Sequence, residues 1–148
     1  MRVATEADIP EMHRVRLAVR ENRLSNPGVV RPSDYVPMLT ERGRGWLALV
    51  GGRIAGFAIV DMERRNVWAL FVDPQHEARG VGRRLHDEMM GWAFASGADH
   101  VHLGTAPGTR AERFYRTAGW TYAGLETNGE ARFEMTRAAW ETKPRAAG

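Results

Sequence analysis

Apolar positions fall into two rhythms along this chain, one with the period of a helix and one in short runs bounded by glycine, proline and charge. After Asp8, with Glu11 three residues on as a capping-box partner, Met12, Val15, Leu17 and Ala18 follow at helical spacing, so a first helix is expected from about Ile9 to Glu21. Asn22 to Val30, with Asn26-Pro27-Gly28, reads as a loop, and Pro32-Ser33-Asp34 opens a short second helix ending near Gly43. Trp46 to Val50 and Ile54 to Val60 flank Gly51-Gly52, a hairpin signal. Asn66 to Val72 follows, and Val67 to Val72 is apolar without alternation, as in a strand covered on both faces. That strand belongs mid-sheet and stops at Asp73-Pro74, since proline lacks the ladder donor.

Val81, Leu85, Met89 and Trp92 then form one stripe of a helix ending near Gly97. His100 to Leu103 is a further strand, Arg110 to Ala118 a further helix stopped by Gly119, and Tyr122–Leu125 with Arg132–Met135 a closing hairpin around Thr127-Asn128-Gly129. This order predicts an α/β (α+β) fold with a mixed, mostly antiparallel sheet and helices on both faces. No repeat or linker interrupts it, so residues 1–148 read as one domain.

Composition narrows the function classes. The 148 residues suffice to bury roughly 70% of the unfolded surface, and 43% hydrophobic content with five tryptophans excludes a disordered chain. The absence of cysteine excludes disulfides, thiolate metal sites and a cysteine nucleophile. Met1 to Glu6 lacks the apolar run of a signal peptide, and no stretch approaches the ~20 apolar residues of a membrane span, so a soluble cytoplasmic protein with no membrane partner is expected. The net charge of +3 comes almost wholly from arginine, whose forks suit phosphate. Those arginines are scattered among acids, as in Glu63-Arg64-Arg65, and no basic run is interleaved with aromatics. An anionic small molecule is therefore the expected ligand, and nucleic acid is not.

The chemistry concentrates between the buried strand and the long helix. In Gln75-His76-Glu77-Ala78-Arg79-Gly80-Val81-Gly82-Arg83, two glycines let backbone N–H groups turn toward a ligand at a helix N-terminus, where unpaired donors and partial positive charge favour phosphate. Arg79, Arg83 and Arg84 add formal charge. A dinucleotide fingerprint needs glycine where Leu85 stands, and no P-loop Gly-Lys-Ser/Thr occurs, so the phosphate belongs to another kind of ligand.

Leu70-Phe71-Val72-Asp73-Pro74, Arg79-Gly80-Val81-Gly82 and Phe114-Tyr115-Arg116-Thr117-Ala118-Gly119-Trp120 together resemble the two signatures of the GNAT superfamily of N-acetyltransferases. The resemblance implies a splayed parallel strand pair that binds acetyl-CoA, with backbone groups at Phe71 and Val72 on the pantetheine arm and the turn from Glu77 and Ala78 through Arg79, Gly80, Val81, Gly82 and Arg83 around the pyrophosphate. Glu77 stands where the family carries glutamine or arginine, and Arg79 is a candidate to neutralise it. Gly108 stands where asparagine is often found, with Arg110 as its substitute.

The implied reaction is direct transfer of acetyl to an amine of a small molecule or peptide, with Tyr115 as the acid that protonates the leaving thiolate and no metal. A catalytically degenerate acyl-CoA sensor is the alternative. Asp61, Glu63, Glu21, His100 and His102 are candidate bases, none preferred, and Trp46, Trp68, Tyr35 and Arg23 are candidates for the acceptor side. Family members often pair as homodimers, and nothing in the sequence fixes the oligomeric state.

Overall fold

The computed structural model describes residues 1–19, 30–77 and 79–142. Seven strands form one sheet in the order β1-β2-β3-β4-β5-β7-β6: β1 Arg2–Val3, β2 Gly43–Val50, β3 Arg53–Asp61, β4 Asn66–Val72, β5 His100–Thr105, β6 Thr121–Leu125 and β7 Ala131–Thr136. Every neighbouring pair is antiparallel except β4 and β5. The helices are α1 Ile9–Ala18, α2 Tyr35–Thr40, α3 Val81–Ala95, α4 Arg110–Thr117 and α5 Arg137–Thr142.

Strand alternation sorts the core onto two faces. Leu47, Phe57 and Ile59 point to α1 and α2, where Met12, Val15 and Tyr35 meet them. Trp46, Ala58 and Val60 point to α3, which lays Val81, Leu85, Met89 and Met90 on the opposite face. The apolar stripe of α3 includes a side chain its sequence pattern does not reveal: His86 is wholly buried. The Trp120 indole N–H donates to His86 Nε2 at 2.9 Å, which leaves Nδ1 as the protonated nitrogen, donating to Asp87 Oδ1 at 2.8 Å. His86 is thus a neutral bridge between α3 and the segment that follows α4.

Two of the sheet's irregularities bear on the cavity. In β4, Ala69 faces Ile59 and Val67 faces Val60, so Trp68 is the extra residue of a bulge. The bulge puts Trp68 on the α1 side together with Ala69 and Phe71. The second irregularity is the parallel pair, whose register has the single partnership Asn66↔His102. Beyond it β4 stays with β3 as far as Gly56↔Val72, while β5 stays with β7 as far as Thr105↔Ala131. Each strand follows its antiparallel neighbour, and the sheet opens between them.

The structure also revises element boundaries. Asp8 precedes α1 but makes no side-chain cap there. A 3₁₀ turn at Glu6–Asp8 moves the box one turn upstream, where Asp8 Oδ2 accepts from the Thr5 N–H at 2.9 Å, and Glu11 Oε2 instead accepts from the Ile54 N–H at 2.7 Å. Helix α1 ends at Ala18; the expected extension to Glu21, the loop read over residues 22–29 and Arg23 fall outside the described residues. Strand β1 and helix α5 are additions that a two-residue run and a weakly patterned tail did not announce. Arg137 at the start of α5 donates to Phe94 O and Ala98 O at 2.9 and 2.8 Å, satisfying carbonyls at the end of α3.

Candidate active site

A cavity of about 560 Å³ occupies the opening between β4 and β5. Residues 67–72 form one wall, Leu103 to Ala106 the facing one, the start of α3 the floor, and Arg110, Phe114 and Tyr115 of α4 the side. The edge of β4 that turns toward β5 lacks a strand partner past Asn66, so its backbone groups face the cavity rather than a ladder. Phe71 and Val72 lie on that stretch, half-buried.

The turn into α3 is anchored before it reaches the glycines. The Asp73 N–H donates to Ala55 O at 2.8 Å, and Asp73 Oδ1 accepts from the Gln75 N–H at 3.0 Å. Arg14 Nη1 donates to Asp73 Oδ2 at 3.1 Å. Burial alone would push the Asp73 carboxyl up, but the Gln75 N–H and the Arg14 guanidinium outweigh it and hold the carboxyl below its ordinary range. Gly80 then caps α3 at φ +77°, a left-handed conformation that a side chain rarely adopts. The first intrahelical bond runs from the Arg84 N–H to Gly80 O, which leaves the N–H groups of Val81, Gly82 and Arg83 without helical acceptors. A Cβ on Gly82 would come within 3.3 Å of Val72 Cγ2, so the missing side chain keeps the helix end close against β4.

Glu77 and Arg110, read separately in the sequence, form an ion pair that joins the turn to α4. The expected partner, Arg79, is exposed instead, because the helix 33 residues downstream brings Arg110 to the carboxylate first. Arg110 is therefore engaged with Glu77 rather than standing only as a replacement for the family's asparagine. At Gly108 the backbone N–H donates to Glu112 Oε1 at 2.7 Å. Arg83 is half-buried and donates to Asp87 Oδ1 at 3.2 Å. Ala78 lies outside the described residues.

Tyr115 sits on the cavity side of α4, 6% exposed, with its ring edge-on to Phe114 and Trp120 at 5.3 and 5.6 Å. Burial pushes its phenol well above the ordinary tyrosine value, so it stays protonated at neutral pH. Thr109 sets the start of α4, its hydroxyl accepting from the Glu112 N–H at 3.2 Å and donating to Ala106 O at 2.7 Å.

Several candidate residues do not come together here. Asp61 is buried in a turn, accepting from Arg42 Nη2 at 2.7 Å and from the Glu63 N–H at 2.9 Å, while Glu63 itself is 68% exposed. His102 Nε2 lies 3.1 Å from Arg64 O; burial, with the nearby Arg132, lowers its pKa and keeps it neutral. Neither of these acids, nor His100 nor His102, lines the cavity, and Glu21 is not among the described residues. Trp46 is core, edge-on to Trp92 at 5.6 Å, and Tyr35 is buried behind Trp68 at 5.0 Å; only Trp68 of that group reaches the cavity. Phe114 lines it as well. His76 was missed: it lines the cavity, and its Nδ1 is buried without a hydrogen-bond partner. Its place just ahead of the glycines was the one signal available. Among the described residues no cluster of His, Asp and Glu is arranged to hold a metal ion, and no helix is long and apolar enough to cross a membrane.

The sheet is split at one parallel pair, with a helix N-terminus at the foot of the split. Residues 11–120 match the Acetyltransferase (GNAT) family, and the chain belongs to that family. Among solved structures it is similar to the GCN5-related N-acetyltransferase "Aminotransferase, Class-II" of Rhodopseudomonas palustris, at 18% identity over 91% of this chain and 93% of that one, with a TM-score of 0.76. It is similar to the ribosomal-protein-S18-alanine N-acetyltransferase of Escherichia coli, at 18% identity, 89% and 88% coverage and TM-score 0.68. It is also similar to the PaiA N-acetyltransferase of Thermoplasma acidophilum in complex with coenzyme A, at 12% identity, 92% and 99% coverage and TM-score 0.68. No curated protein sequence matches the chain.

Proposed function

We propose that this chain is one acyltransferase domain that moves an acetyl group from acetyl-CoA to a primary amine of a small molecule or peptide. The observation that carries the reading is the convergence of three groups on one cavity: the unpaired edge of β4, the donor-rich start of α3 and the buried phenol of Tyr115. The fit to the donor is specific. The orphan N–H groups of Val81, Gly82 and Arg83 suit a pyrophosphate, the buried unpartnered His76 Nδ1 supplies a further polar group beside them, and the Glu77–Arg110 pair removes the charge penalty of a carboxylate there. The T. acidophilum relative holds coenzyme A on the same fold, which supports this choice of donor.

Acetyl-CoA supplies an activated thioester. Backbone N–H groups of β4 near Phe71 and Val72 orient the arm and polarise the carbonyl as the amine attacks. As the amide bond forms and the carbon–sulfur bond breaks, the Tyr115 hydroxyl gives its proton to the departing thiolate, the proton lost by the amine passes to solvent, and the phenolate takes a proton back from solvent to close the cycle.

The test is thiol release across an amine panel, with Tyr115→Phe beside the wild type. Removing the acid lowers kcat by about a hundredfold or more, the scale of general acid catalysis, with the calorimetric acetyl-CoA affinity unchanged. Because burial raises the phenol, wild-type kcat should hold through pH 10, where an ordinary tyrosine would already be losing its proton. An unchanged rate in Tyr115→Phe removes it from the mechanism, and absence of CoA binding removes the donor reading. One observation favours a sensor that binds without turnover: none of Asp61, Glu63, His100 and His102 reaches the cavity to act as base. Failure of every amine alongside intact acetyl-CoA binding would select it.

A further inference from the structure

Against the aromatic rings on the α1 side of the cavity lies a charged group that the reaction as described does not use. The Arg16 guanidinium carbon lies 5.1 Å from the Trp68 ring centroid and 4.9 Å from that of Phe71. Trp68 reaches that face only because of the bulge, which brings both rings beside α1. Both rings line the cavity, as do Ala18 at the end of α1 and Val19 just after it, while Arg16 itself touches the rings rather than the open space.

Between the rings, Arg16 Nη1 is shut off from solvent and makes no hydrogen bond. A guanidinium keeps its charge at every physiological pH, so the orphan donor cannot be relieved by losing a proton. Aromatic faces attract the cation but accept nothing from its in-plane N–H groups. Of the neighbouring polar groups, Arg14 is paired with Asp73 at 3.1 Å, and the Tyr35 hydroxyl, 3.2 Å from His13 Nδ1, is a neutral group beside the guanidinium. No carboxylate of the described residues pairs with Arg16, although the chain pairs Arg2, Arg42, Arg83, Arg110 and Arg116 with acids. A buried cationic donor beside an open cavity, flanked by two flat rings, is matched by a planar oxyanion brought in by the ligand.

We propose that the acceptor amine carries a carboxylate, and that Arg16 holds it against Trp68 and Phe71 on the side of β4 opposite the α3 turn. This assignment rests on the acyl-transfer reading and narrows its acceptor to amino acids and related amino carboxylates. Arg16 would thereby set specificity by charge, while the rings exclude water from the pair.

The experiment uses the full chain and three matched pairs: glycine and glycinamide, β-alanine and β-alaninamide, 4-aminobutyrate and its amide. Thiol release gives kcat/KM for each, and calorimetry gives the acetyl-CoA Kd. At least one acid should exceed its amide by about tenfold or more, as expected for loss of a charge-assisted hydrogen bond, and Arg16→Gln should bring that ratio close to one with the acetyl-CoA Kd held. Arg16→Lys, which keeps the charge without the fork, should retain part of the preference and guards against a glutamine variant that fails to fold. Ratios at or below one in all three pairs overturn the proposal, as does a preference that survives Arg16→Gln. Acetyl-CoA binding with no reaction in any pair overturns it too. Loss of acetyl-CoA binding in the wild type would instead strike the acyl-transfer reading itself.

Discussion

The two sides of the cavity are built from different materials. The α3 side offers backbone: the open edge of β4 and the N–H groups of Val81, Gly82 and Arg83, held by a left-handed Gly80 and a turn pinned through Asp73. The α1 side offers side chains: Trp68 and Phe71, with the Arg16 guanidinium against both rings. Backbone recognition tolerates many side chains as long as the turn keeps its shape, so such a side suits a constant ligand. Side-chain recognition changes with each substitution, so the other side can read a particular acceptor. The contrast explains how the turn accommodates Glu77 through an ion pair, whereas an altered Arg16 would change what the cavity accepts.

The strongest way to break the contrast is to unseat the scaffold beneath both sides. His86→Ala removes a wholly buried ring and leaves the Trp120 indole N–H and Asp87 without their partner, at a cost of about 3 kcal/mol read from the denaturant midpoint. A loss below about 1 kcal/mol would show that this bridge does not hold α3 to the α4 segment.

Next in size is Gly80→Val. There is open space where its Cβ would lie, so its effect comes through φ +77° alone, a strain of about 1–3 kcal/mol that should weaken CoA binding tenfold or more by calorimetry. Arg16→Gln should leave the same measurement untouched, and a shared loss would erase the distinction between the two sides.

The smallest effects sharpen the backbone side. Glu77→Gln removes a negative charge and releases one arginine contact, so CoA should bind a few times more tightly; Arg110→Ala exposes Glu77 to the phosphates and should bind it a few times more weakly, both within about 1 kcal/mol for a partly exposed pair. Opposite signs in titration calorimetry, shrinking as salt rises, are the expected outcome. Equal signs would place the pair away from the phosphates.

Much of the α3 side was legible in the chain because its determinants are contiguous. A run of apolar residues from Val67 to Val72, a proline stop and glycines at 80 and 82 report strand, turn and helix start through local sterics and hydrogen bonding. The closing hairpin was legible for the same reason, whereas Tyr115 stood out only through the resemblance of Phe114 to Trp120 to a family signature. The role of His86 was hidden, since one histidine in an apolar stripe gives no sign that a tryptophan 34 residues away will donate to it. Glu77 illustrates an intermediate case: its need for a cationic partner followed from charge, but the choice of Arg110 over Arg79 depended on how α4 packs across the opening.

What the sequence determined by itself was the order and kind of the elements and the position of the glycine turn ahead of α3, because short-range periodicity and turn chemistry act within a few residues. Only the tertiary structure decided where the sheet splits, which aromatic rings face the cavity and where Arg16 ends up. Those outcomes depend on strands following different antiparallel neighbours, and on a one-residue bulge that turns Trp68 to the opposite face. Neither leaves a mark on the local pattern, because a register is a property of two strands at once.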